Sequence, residues 1–74
     1  MALHTLDVLG LKCPQPTLKV TIMAKSIPPG DTLEVYADCE SFPGDIKAWC
    51  EKTGRTLLFC VTDGDGKHKA QIQF

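Results

Sequence analysis

Cys13-Pro14-Gln15-Pro16 is the stretch on which the rest of the chain is registered. Proline fixes φ and has no N–H, so a helix tolerates it in the first turn and poorly anywhere deeper. Pro14 and Pro16 therefore set a helix start, with Pro14 near the first position and Cys13 at or beside the cap. A thiol there feels the positive end of the helix dipole. It can also accept a hydrogen bond from a free first-turn N–H. Gln15 is the donor on offer, because Pro16 has none. Both effects favour thiolate over thiol, and the thiolate is the nucleophile in sulfur chemistry. The plain alternative is a small apolar residue that happens to precede a helix.

Upstream, Leu3 to Leu9 reads as a short strand with Leu6 and Val8 on one face, and Gly10 ends it. Gly10-Leu11-Lys12 then places the thiol on a loop beside a cation. Downstream, the spacing predicts a helix from Pro14 to about Ile27. Its buried stripe is Pro16, Val20, Met23, Ala24 and Ile27, at i, i+4, i+7, i+8 and i+11. Leu18 and Ile22 fall off this stripe, one turn apart. They are expected half-buried at its edge; the other reading is an exposed apolar pair usable by a docking protein.

Pro28-Pro29-Gly30-Asp31 is a stop and turn. Thr32 to Asp38 alternates, with Leu33, Val35 and Ala37 inward. Cys39 to Gly44 is a loop. A second helix runs from Pro43 or Asp45 to Thr53, with Ile46, Trp49, Cys50 and Thr53 as its inner face and Gly54 as its stop. Leu57 to Val61 is apolar on both faces, so Cys60 belongs to the core or the sheet surface. Asp63-Gly64-Asp65-Gly66 is a hairpin turn. Lys67 to Phe74 alternates, with His68 in register with core residues and read as structural. The order β-α-β-α-β-β, with a right-handed crossover joining the first two strands, makes a single α+β domain, a two-layer sandwich with both helices on one face.

The composition narrows the function. With 74 residues, the domain buries only about 60% of its unfolded surface, which leaves little room for a deep substrate pocket. A net charge of −1 disfavours direct nucleic-acid binding, which needs a basic patch. No signal-like or bilayer-length apolar segment stands in the sequence, so a cytoplasmic protein without membrane insertion is expected. The cysteines at 13, 39, 50 and 60 contain no Cys-x-x-Cys pair, and His4 and His68 show no metal spacing to them. Neither a metal site nor a cofactor is expected.

The pattern Leu6-Asp7-x-x-Gly10-Leu11-x-Cys13-Pro14-x-Pro16 resembles the TusA/SirA family of small sulfur-carrier proteins. The resemblance runs through Pro29-Gly30-Asp31-x-Leu33-x-Val35, Asp45-Ile46, Trp49, Gly54, Leu57 and the late glycine turn. It implies a mixed four-stranded sheet of order 1-2-4-3, with strand four antiparallel to the rest, and it implies that Cys13 carries sulfur as a persulfide. A cysteine desulfurase or rhodanese-like donor would supply the sulfur, and an acceptor protein would take it, in a relay rather than by a stand-alone catalyst. Such a relay would feed tRNA thiolation, cofactor biosynthesis or sulfur-compound metabolism. A monomer suffices for this. Lys12 would either raise the local potential or dock an acidic partner patch.

One departure from the family stands at Cys39-Glu40, where relatives usually carry Asp-Pro. Parallel neighbours lie roughly 4.8 Å apart, so the ends of the first two strands share one sheet edge. Cys39 is either a resolving thiol for Cys13 or a loop cysteine without reach, and the second is the reading taken. Two other functions compete with sulfur carriage. One is a SirA-type regulatory or interaction module, and the other is a thiol redox protein using Cys13 and Cys39.

Overall fold

The computed structural model describes residues 2–10 and 15–74. Strand β1 (Leu3–Asp7), helix α1 (Gln15–Ala24), strand β2 (Thr32–Ala37), helix α2 (Phe42–Thr53), strand β3 (Thr56–Thr62) and strand β4 (His68–Gln73) follow in that order. They build one four-stranded sheet of order β1-β2-β4-β3. β1 runs parallel to β2, from Leu3 opposite Thr32 to Asp7 opposite Tyr36. β4 is antiparallel to both β2 and β3. The hairpin between β3 and β4 explains the reversal, since a short turn can only join antiparallel strands.

Both helices cover the same face. Val20 of α1 and Phe42, Ile46 and Cys50 of α2 form one buried cluster with Leu33, Val35, Ala37, Ala70 and Ile72 of the sheet. Trp49 Nε1 donates to Thr21 Oγ1 at 2.9 Å and ties α2 to α1. The Arg55 guanidinium lies 5.4 Å from the Trp49 ring and 4.8 Å from the Phe74 ring, closing that end of the core with cation–π contacts.

Several sequence expectations change in detail. α1 ends at Ala24 rather than near Ile27, because Lys25, Ser26 and Ile27 donate to carbonyls three residues back and form a tighter turn. Ile27 stays buried all the same. α2 starts at Phe42, ahead of Pro43, which sits within its first two positions where its missing N–H costs nothing. Thr53, assigned to the inner face, is exposed and satisfies its hydroxyl on the Trp49 carbonyl at 2.7 Å. Leu18 and Ile22 are not half-buried: each is 57% exposed, because α1 presents the Val20 side to the core and turns this pair outward.

The face without helices is less bare than its Lys/Gln pattern suggests. Glu34 is buried there beneath Tyr36, Gln71 and Lys69. Tyr36 Oη donates to one carboxylate oxygen, and Gln71 Nε2 donates to the other at 2.7 Å. Lys69 Nζ lies 3.7 Å from the second oxygen. These contacts, the Tyr36 bond first, hold the Glu34 carboxyl below its ordinary value.

Asp31 sits below its ordinary value too, chiefly through the His4 ring at 2.8 Å and then through the Ala2 N–H at 3.1 Å. A carboxyl whose folded pKa is depressed stabilises the fold above its unfolded value and loses that contribution as pH falls through the folded value. The urea midpoint is therefore expected to hold from neutral pH down to about pH 5 and to drop below about pH 4. Urea unfolding at pH 7 and pH 3 checks this, and Asp31→Asn or Glu34→Gln should shrink the difference. A midpoint that rises on acidification would contradict the sign.

Candidate functional site

The parallel pairing of β1 and β2 brings their C-terminal ends to one edge of the sheet. Val8 N–H donates to the Tyr36 carbonyl at 2.8 Å, continuing the ladder one step past β1. The chain then turns. Asp7 Oδ1 accepts the Leu9 N–H at 2.9 Å, and Gly10 takes φ +82°. A Cβ added at Gly10 would meet nothing within 4 Å, so glycine is required there by backbone conformation rather than by space. The Asp38 carboxylate accepts the Gly10 N–H with both oxygens at 3.0 Å. That clamp joins the end of β2 to the loop that leads into Cys13.

Lys12, Cys13 and Pro14 lie outside the described residues. α1 begins at Gln15, with Pro16 second, so the sequence puts Cys13 two residues before the helix.

Cys39 follows Asp38 on the same edge. Cys39, read from sequence as a loop cysteine without reach to Cys13, is buried and disulfide-bonded, and Cys13 lies outside the described residues. The Asp38 clamp on Gly10 ties the ends of β1 and β2 together, a contact that strand spacing alone does not specify. Cys39 Sγ lies 3.4 Å from Ser41 Oγ, and Ser41 Oγ donates to Asp45 Oδ2 at 2.9 Å. Asp45 in turn stands in the first turn of α2, where a negative charge suits the helix dipole.

Cys50 and Cys60 are free thiols. Burial pushes Cys50 up to about 11, with Arg55 opposing weakly, and burial raises Cys60 as well. Both are poor thiolates at neutral pH, as buried structural cysteines are. His68 is buried, stacks on Phe42 with ring centroids 6.0 Å apart, and bonds Thr62 Oγ1 through Nδ1 at 2.7 Å. Its place is structural. Among the described residues, no group of three or more His, Cys, Asp or Glu side chains could hold a metal ion, and no helix is long and apolar enough to cross a membrane.

Sequence reasoning missed Asp38. Its signal was a carboxylate at the end of a strand parallel to the one that feeds the loop, and only the register puts it opposite Gly10.

Residues 4–73 match the family model described as sulfurtransferase TusA. Two Neisseria meningitidis proteins provisionally named sulfur carriers, one from serogroup A and one from serogroup B, are each 45% identical over 70 residues. The match covers 95% of this chain and 93% of each of theirs. In structure, the chain is similar to the SirA-like protein of Desulfitobacterium hafniense, with a TM-score of 0.80. That match covers 97% of this chain and 95% of the other at 19% identity, and it speaks for the fold.

Proposed function

The chain belongs to the TusA sulfurtransferase family, and from that membership we propose that it accepts sulfane sulfur on Cys13 as a persulfide and passes it to a cysteine of an acceptor protein. One observation carries the assignment to Cys13. The described helix α1 starts at Gln15, and Cys13 precedes it by two residues in the sequence, where the positive end of a helix dipole would favour a thiolate. Cys50 and Cys60 are held as thiols by burial, which supports the same choice.

The chemistry is thiol exchange. The Cys13 thiolate attacks the outer sulfur of a donor persulfide, and the donor cysteine leaves as thiolate. The acceptor thiolate then attacks the outer sulfur on Cys13, which departs in its turn. Each step exchanges one S–S bond for another, so the chain supplies thiolate character and access and needs no further catalytic group. In this reading Pro14, Gln15 and Pro16 shape the helix start, and Lys12 either raises the local potential or docks an acidic patch of the partner.

The donor is a cysteine desulfurase or a rhodanese-like protein, and it docks on Leu18 and Ile22. Both are exposed on α1, Leu18 about one turn and Ile22 about two turns beyond the start of the helix. Replacing both by Glu is expected to slow sulfur uptake from the protein donor on the order of 10- to 100-fold, the scale of losing two apolar anchors. Loading by inorganic polysulfide should be unchanged, and so should the melting temperature. Equal uptake from the protein donor by variant and wild type would remove this surface from the reading.

The test of the carrier assignment is intact-protein mass spectrometry after incubation with a cysteine desulfurase and cysteine. A gain of about 32 Da on the wild-type chain is expected for one added sulfur. No gain with several competent donors would sink the carrier reading and leave the interaction module in front.

A further inference from the structure

The run Leu57 to Val61, apolar on both faces in sequence, forms the middle of β3, and β3 is the last strand of the sheet. Among the described residues, β4 pairs with one side of it and no strand pairs with the other. Its seven residues, Thr56-Leu57-Leu58-Phe59-Cys60-Val61-Thr62, hold no charge and no proline. Leu58 is 48% exposed, Phe59 37% and Val61 54%. Charges and prolines on edge strands keep sheets from joining, and β3 carries neither device. Its one interruption is a register shift between Leu57 and Phe59, which leaves Phe59 to Thr62 regular against β4. The opposite edge differs: β1 has five residues and ends on the charged Asp7.

The ladder decides which backbone groups are free. At the hairpin end, the Asp63 N–H donates to the Lys67 carbonyl at 2.9 Å. Bonding alternates along an antiparallel pair. Val61 and Phe59 therefore turn their backbone N–H and C=O groups to β4, and Cys60 and Thr62 turn theirs to the open edge. The ends of the strand carry opposite charge. Arg55 precedes it, and the turn with Asp63 and Asp65 follows it.

We infer that β3 is a self-association edge, on which a second copy of this chain lays its own β3 antiparallel across a two-fold axis, joining two four-stranded sheets into one. Antiparallel alignment sets Arg55 of each copy toward Asp63 and Asp65 of the other. Parallel alignment would oppose Arg55 to Arg55 and one acidic turn to the other. Phe59 and Val61 share the sheet face without helices, opposite Gln71 and Lys69, and meet their counterparts across the axis. Aromatic and β-branched residues are favourable cross-strand neighbours. The two-fold pair uses the same edge twice, so growth stops at two copies. A seven-residue edge buries less than the roughly 1,200 Å² of a standard interface, so the dissociation constant is expected on the order of 10–100 μM. β1 and β3 are opposite edges, so the pairing leaves β1 and its turn uncovered. The inference stands apart from the carrier reading, since no sulfur chemistry enters it.

The experiment is sedimentation velocity from about 5 to about 500 μM, with amide hydrogen exchange at both ends of that range. Wild type is expected to pass from monomer to dimer and no further. The Cys60 and Thr62 amides should exchange several-fold more slowly at the high concentration, while those of Phe59 and Val61, already bonded to β4, change little. Val61→Lys sets a like-charged pair at the joined edge and should raise the dissociation constant about 10-fold or more. Val61→Thr stays neutral and β-branched and should dimerise as wild type does. Circular dichroism checks that both variants fold, and if the lysine variant does not, the exchange pattern of wild type decides. A chain that stays monomeric throughout would overturn the inference. So would a dimer with unchanged exchange at Cys60 and Thr62, a dimer that survives on a non-reducing denaturing gel, species that grow beyond two copies, or Val61→Lys pairing as tightly as wild type.

Discussion

Cys13→Ser is expected to give a folded chain that carries no sulfur. The serine hydroxyl keeps its proton at neutral pH, so no nucleophile meets the donor's sulfane sulfur and no persulfide forms. Serine is also among the better residues at a helix cap, so the substitution should leave α1 in place. After incubation with donor and cysteine, the wild-type gain of about 32 Da should be absent from the variant, and onward transfer to an acceptor should fall to background. Binding to the donor should survive, because Leu18 and Ile22 are untouched. Sulfur appearing on the variant at Cys39 would move the first acceptor from Cys13 to Cys39. A variant that performs its cellular task unimpaired would favour an interaction module.

The parts of the fold that were readable in the sequence are those set by short-range chemistry. Pro28-Pro29-Gly30 stops the chain before β2, and Gly54, in the left-handed conformation with its N–H on the Cys50 and Glu51 carbonyls, ends α2. Strict alternation in β2 and β4 named Leu33, Val35, Ala70 and Ile72 as core, and they are fully buried. Three features escaped because they depend on which segments meet. Leu18 and Ile22 could not be placed from spacing alone, since helix rotation is decided by what Val20 packs against. Glu34 looked like an ordinary solvent-facing residue of β2 until the register put Gln71 opposite it. Asp38 acquired its role only when β1 and β2 were aligned so that their ends share an edge. The strand pairing there was expected from the order of elements, whereas the carboxylate that clamps Gly10 is a contact across 28 positions of sequence.

Phe42→Ala is expected to cost most of the fold's stability. The ring is fully buried, stacks on His68 and packs with Ile46 and the sheet, yet the sequence reading left it in a loop. Cutting a buried phenylalanine to alanine typically removes about 3–5 kcal/mol. Domains are stable by about 0.05–0.15 kcal/mol per residue, so a chain of this length holds on the order of 4–11 kcal/mol in all. The two figures are of comparable size. Urea unfolding followed by Trp49, the single tryptophan, should show a midpoint shifted close to zero denaturant. Phe42→Leu keeps most of the volume and should stay folded, at a cost of about 1.5 kcal/mol or more. The pair of variants also separates scaffold from site. The Phe42 N–H donates to the Cys39 carbonyl at 3.0 Å, so the residue that starts α2 also fixes the turn that holds Cys39. Phe42→Leu retains that backbone bond and should load sulfur as wild type does, whereas Phe42→Ala should lose loading together with its fold. If Phe42→Ala cost less than about 1 kcal/mol, the core would have to collapse into the space left behind, and the packing ascribed to Phe42 would be wrong.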